Sequence, residues 1–146
     1  NGHGGNNFKN MMRDLTLEYP DFIIATSEWF KMTDAHPFFS HVGDHADELE
    51  TSVMMHYHPE LVSLSEAGQG DSRGFRIKAL SEGKVWIPRN WAKVSRDTGI
   101  GSPAKATAEK GARFAAAVVE KYVEFLADFA RVETIDDLYE PQFHNE

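Results

Sequence analysis

The chain has 146 residues, 41% hydrophobic and 26% charged, the profile of one compact globular domain, and no run of 18 apolar residues that would span a membrane. Its net charge of −8 argues against a basic nucleic-acid-binding face. Cysteine is absent, which excludes disulfides and thiolate metal sites and is in keeping with a cytoplasmic protein. The chain begins on Asn1 without a charged-then-apolar leader, so no signal peptide is expected; it reads as a fragment, a processed chain or a trimmed one.

Residues 1 to 6 form a Gly/Asn loop. Phe8, Met11, Met12 and Leu15 recur at helical spacing, which predicts a helix over about 7 to 18, ended by Tyr19-Pro20-Asp21. Phe22-Ile23-Ile24-Ala25-Thr26 is almost wholly apolar and suits a buried parallel strand. After a loop over 31 to 44, a second helix is expected from about Asp47 to Tyr57, with Leu49, Val53 and Tyr57 on one face and Pro59 as its stop. Residues 65 to 75 make a glycine-bearing loop, and short strands are expected at Phe75 to Ala79 and Val85 to Ile87. Ser102-Pro103 has the form of an N-cap and first helical residue, opening a long helix to about Ala130. Its expected buried stripe is Phe114, Val118, Tyr122, Phe125 and Phe129. A last short helix falls around Thr134 to Tyr139. Helices alternating with apolar strands predict α/β layering on a mainly parallel sheet.

Two segments bear chemistry. In Asn1-Gly2-His3-Gly4-Gly5-Asn6 the glycines leave the His3 imidazole unobstructed, as a metal ligand requires, although a merely flexible Gly-rich end fits as well. Asp44-His45-Ala46-Asp47-Glu48-Leu49-Glu50 packs one histidine and four carboxylates around a helix start. The helix dipole accounts for Asp44, Asp47 and Glu48. It does not account for Glu50, which falls beside the buried stripe and is costly there unless paired or bound to a metal. His45 could serve as acid, base, ligand or cap. His36 and His41 share its loop, and His56 and His58 suit a helix C-terminus. Trp29 follows the apolar run, at the end where parallel sheets bind ligands, with core or interface packing as the alternative. Thr98-Gly99-Ile100-Gly101 lacks the spacing of a phosphate loop and reads as a Gly-rich helix start.

Taken in order, three segments resemble motifs of the creatininase (creatinine amidohydrolase) family. Residues 1 to 6 are similar to its histidine motif, and His45-Ala46-Asp47-Glu48-Leu49-Glu50-Thr51-Ser52 to its His-Ala-Gly-Glu-x-Glu-Thr-Ser motif. Ser102-Pro103 with Ala106-Thr107-Ala108-Glu109-Lys110-Gly111 resembles the start of its last long helix. The resemblance runs from residue 1 to about residue 130, so residues 1–146 are expected to be the C-terminal portion of a single such domain. It implies a three-layer α/β/α sandwich with a mainly parallel sheet, present here in part, and assembly into homo-oligomers, often hexamers. It also implies a centre of two divalent ions, zinc first among Zn, Mn, Fe and Mg, that activates water to cleave a non-peptide amide C–N bond in a cyclic amide or formamide.

By position, His3 would be a metal ligand, His45 the catalytic histidine that handles the proton of the leaving nitrogen, and Gly4 and Trp29 substrate contacts. This sequence has Gly4-Gly5 where creatininase has Tyr-Glu, a Glu that binds metal; Glu50 is the candidate replacement. His41 stands where creatininase has a second pocket tryptophan, which points away from creatinine as the substrate. The family's remaining ligands, a Glu, a His and a bridging Asp, belong to its N-terminal half, so the missing half or a partner chain would supply them. The alternative is a catalytically incomplete or non-catalytic scaffold or ligand-binding member of the same fold.

Overall fold

The structure, a computed structural model, describes residues 1–140. Its α-helices are α1 (Lys9–Glu18), α2 (Glu48–Tyr57), α3 (Lys78–Ser81), α4 (Trp91–Val94) and α5 (Ala108–Phe129), joined by 3₁₀ turns at Trp29–Lys31, Pro59–Leu61, Leu64–Glu66 and Ile135–Leu138. No described helix is long and apolar enough to cross a membrane.

The expected α/β/α sandwich with a mainly parallel sheet is not what forms. Among the described residues there is no strand, only isolated antiparallel bridges between His45 and Ile100 and between Ser72 and Ser95. The reason is pairing: an apolar run becomes a strand only where a neighbour satisfies its N–H and C=O groups along its length. Phe22 to Thr26 is irregular, with Phe22 67% exposed. Just beyond it, the backbone N of Asn1 donates to the Ser27 carbonyl (2.8 Å) and the Trp29 N–H to the Asn1 carbonyl (3.3 Å), a single rung of the parallel type. The segments expected as strands at 75–79 and 85–87 differ for a local reason. Leu80 and Ser81 N–H both bond the Ile77 carbonyl and wind α3, and Val85 N–H turns back to the Ala79 carbonyl. Trp86 is left 81% exposed.

The chain divides into two compact units, one of Asn1–Thr33 with Ala117–Glu146, the other Asp34–Ala116. In the first, α1 buries none of its side chains, and Met12 and Leu15 of the expected apolar face are half-buried. The Ser27 and Tyr122 hydroxyls share a hydrogen bond of 2.8 Å. Thr134 and Asp137 form a capping box for the last 3₁₀ turn, at the place expected for a short helix.

The second unit holds the core: Ala35, Phe39, Leu49, Ala106, Phe114 and Ala115 are buried. Phe114 is wholly buried, its ring edge-on to Phe38 at 5.5 Å and to Phe39 at 5.3 Å. Helix α2 starts and stops where its caps put it: Asp47 accepts the Glu50 N–H (3.0 Å), and the His58 N–H bonds the Met54 carbonyl. Helix α5 starts later than Ser102-Pro103 suggests. Pro103 closes a turn onto the Ala106 N–H (2.8 Å), and Thr107 is the cap, its Oγ1 accepting the Lys110 N–H (3.2 Å). A tertiary bond fixes that choice, because the Thr107 N–H donates to Oγ of buried Ser52 in α2 (3.1 Å). Along α5 the expected stripe holds at its first members: Phe114 and Val118 are buried, Tyr122 and Phe129 half-buried, and Phe125 is 36% exposed.

Candidate functional site

The loop carrying His41 and His45 runs directly into α2, and three carboxylates from that helix start reach back onto it. The Gly43 N–H donates to Asp47 Oδ2 (2.6 Å), the His41 N–H to Glu48 Oε2 (2.9 Å), and the Ala46 N–H to Glu50 Oε2 (2.7 Å). Each charge lies where the N-terminal dipole of α2 favours it. Ala46 sits at φ +49°, a left-handed conformation that costs a residue with a Cβ roughly 1 kcal/mol or more, so its neighbours must hold it there. Opposite the loop, Ile100 takes the Asp44 and His45 N–H groups on its carbonyl (2.8 and 3.1 Å) and donates its own N–H to the His45 carbonyl (2.8 Å). Gly43 and Gly101 make this approach possible. A Cβ on Gly43 would stand 2.3 Å from the Ile100 oxygen, and Gly101, at φ +107°, lies against Gly43.

Glu48 is the buried carboxylate of this region, at 0% exposure. It is paired with the Lys110 ammonium of α5, which also donates to the Lys105 carbonyl (2.7 Å). Burial pushes the Glu48 pKa up, but the Lys110 hydrogen bond and charge and the backbone N–H groups of His41 and Ser40 together hold it below its ordinary value. The sequence argument gave the role of costly buried carboxylate to Glu50. Glu50 is half-buried, and its Oε2 is taken by the Ala46 N–H.

The His45 ring is half-buried against Trp91, 4.9 Å between centroids. The Arg89 guanidinium lies 4.8 Å over the same indole and pairs with Asp44. Sequence reasoning did not single out Trp91, and it placed Lys110 in the motif that opens the last long helix without giving it a partner. Nothing in local spacing connects them to His45, since 46 and 65 positions separate them and only the fold closes those distances.

The other unit carries His3, Gly4 and Trp29. Asn1 knots the Gly-rich loop: its Oδ1 accepts the His3 N–H and the Asn6 amide (3.2 Å each), while the Asn6 N–H bonds the His3 carbonyl (3.1 Å). The loop is therefore a defined turn. His3 and Gly4 are exposed on it, and Gly4 faces the Phe30 ring. The Trp29–Asn1 backbone bond brings half-buried Trp29 beside this loop. His41 is exposed in the other unit. Past the end of α2, exposed His58 Nδ1 lies within hydrogen-bond reach of Glu60 Oε1 at 3.3 Å, and His56 lies in the last turn of α2.

A divalent ion needs three or four protein ligands. Among the described residues no three His, Asp or Glu side chains are grouped to hold one, so those residues do not by themselves fit the expected metal centre.

The family model for creatininase, described as creatinine amidohydrolase, matches residues 1–126. No curated protein matches the chain. Among solved structures it is similar to one named Putative creatinine amidohydrolase from Bacteroides fragilis NCTC 9343, at 52% identity and a TM-score of 0.86. That match covers 94% of this chain and 53% of the other, so the chain spans about half the length of its structural relative.

Proposed function

The chain belongs to the creatininase family, and from that membership we propose that it is part of an amidohydrolase cleaving a non-peptide amide C–N bond in a small molecule. The observation that carries the reading is the family match over residues 1–126, which takes in both chemistry-bearing segments. His45 is the residue proposed to move protons. Its half-buried ring is propped against Trp91, its backbone is fixed on both sides by Ile100, and an imidazole so placed can pass a proton to a leaving nitrogen. His41, Gly4 and Trp29 are proposed substrate contacts.

Dependence on a divalent metal, zinc first, is part of the proposal, with His3 and Glu50 as this chain's donors. The remaining donors would come from outside the described residues, supplied by the rest of the enzyme or by a partner chain. Assembly into a homo-oligomer is proposed with it.

The test is hydrolysis of creatinine, other cyclic amides and formamides by the full-length enzyme, alongside its metal content. A positioned acid–base residue contributes about 10²–10⁴-fold, so His45→Ala is expected to lower kcat by at least about 100-fold. Full activity in that variant would sink the role of His45. No metal and no rate above buffer in the wild type would favour a non-catalytic, ligand-binding member of the family.

A further inference from the structure

We propose that Glu48 and Lys110 are positioning residues that set the loop carrying His45, a role that rests on the reading of His45 given above. Helix starts ordinarily use one side chain to cap their free N–H groups. Here Asp47 caps the Glu50 N–H with one oxygen, and the carboxylates of Asp47, Glu48 and Glu50 also take N–H groups of the preceding loop, at positions 43, 41 and 46. Asp47 and Glu50 are local, within four residues of their donors. Glu48 differs in kind. It is wholly buried, and a carboxylate there keeps its charge only when it is paired and hydrogen-bonded. Lys110 supplies the charge from 62 positions away, and its second bond, to the Lys105 carbonyl, anchors it to the turn before α5. The pair thus joins the loop, α2 and α5 at one point.

The consequence is directional. With Lys110 in place, one Glu48 oxygen is held by the ammonium and the other takes the His41 N–H, so the carboxylate is fixed between α5 and the loop. Without Lys110, one oxygen of the buried Glu48 has lost its partner, and the side chain moves to find another. The His41 N–H then loses its partner, and the segment leading to left-handed Ala46 and His45 relaxes.

The experiment compares Lys110→Met, Lys110→Arg and the uncharged double variant Glu48→Gln/Lys110→Met with wild type, each checked for its fold by circular dichroism. Readouts are amide exchange at His41, Gly43 and Ala46 and the imidazole Cε1–H signal of His45. In Lys110→Met, exchange at His41 is expected to rise about tenfold or more, with a shifted His45 signal and unchanged exchange at Val118. Lys110→Arg should restore both toward wild type. Should Lys110→Met not fold, the double variant, which leaves no unpaired charge, carries the test with the same expectation. Wild-type exchange at His41 and an unmoved His45 signal in a folded variant would overturn the proposal. The outcome is independent of catalysis: His45→Ala with full activity would remove the role of His45 and leave these exchange results as they are.

Discussion

Replacing Gly111 by alanine sets two effects of opposite sign against each other. In an exposed helix interior the change would stabilise by about 1 kcal/mol, because glycine is the poorer helix former. At this position the new Cβ would stand 2.0 Å from the Ser52 carbonyl oxygen, 2.4 Å from its carbon and 2.8 Å from the Val53 nitrogen. All three are backbone atoms of α2, so no rotamer relieves the clash, and α5 must withdraw by more than an ångström. Overpacking costs typically 1–3 kcal/mol. Withdrawal also stretches the Thr107–Ser52 hydrogen bond, worth about 0.5–1.5 kcal/mol. The opposing terms leave a net loss of about 2 kcal/mol, roughly 4–8 °C in Tm for a chain of this size. Urea titration and calorimetry of the purified chain measure it. A Gly111→Ala protein as stable as wild type, or more so, would refute the close packing of α5 on α2.

Asp47→Ala removes the cap of α2 and orphans the Gly43 N–H together, so a loss of about 2 kcal/mol is expected, with Asp47→Asn recovering most of it; urea midpoints of the two variants decide this, and equal losses would count against the capping role. Glu48 is held below its ordinary pKa of 4.5. Its contribution to stability is therefore fully present above about pH 4.5 and is lost as pH falls through the lowered folded value. Urea midpoints measured from pH 7 to pH 3 should fall less steeply for Glu48→Gln than for wild type, and parallel curves would contradict the assignment.

The His45-to-Ser52 segment shows what could be read in advance. That a helix begins after Asp47, with acidic residues in its first turn, follows from local rules, and α2 begins at Glu48. Which carboxylate is buried did not follow. Glu48 and Glu50 both lie near Leu49, and the choice falls on Glu48 because Lys110 and the His41 N–H meet it there. The same holds for the start of α5. Ser102-Pro103 satisfies every local criterion for a cap, yet Thr107 takes the role because Ser52 accepts its N–H from another helix.

For the apolar run Phe22 to Thr26, composition predicted a buried strand, and the structure gives one rung and an exposed Phe22. A strand's hydrogen bonds all lie outside itself, so its own residues can only permit it. A helix's hydrogen bonds lie within four residues, so its residues nearly decide it. That difference divides this protein. The sequence alone determined the helices α1, α2 and most of α5, together with the ordered motifs that identify the family. Only the tertiary structure decided that no sheet forms among the described residues, that Glu48 is the buried charge, and that Lys110 and Trp91 are drawn to the His45 loop.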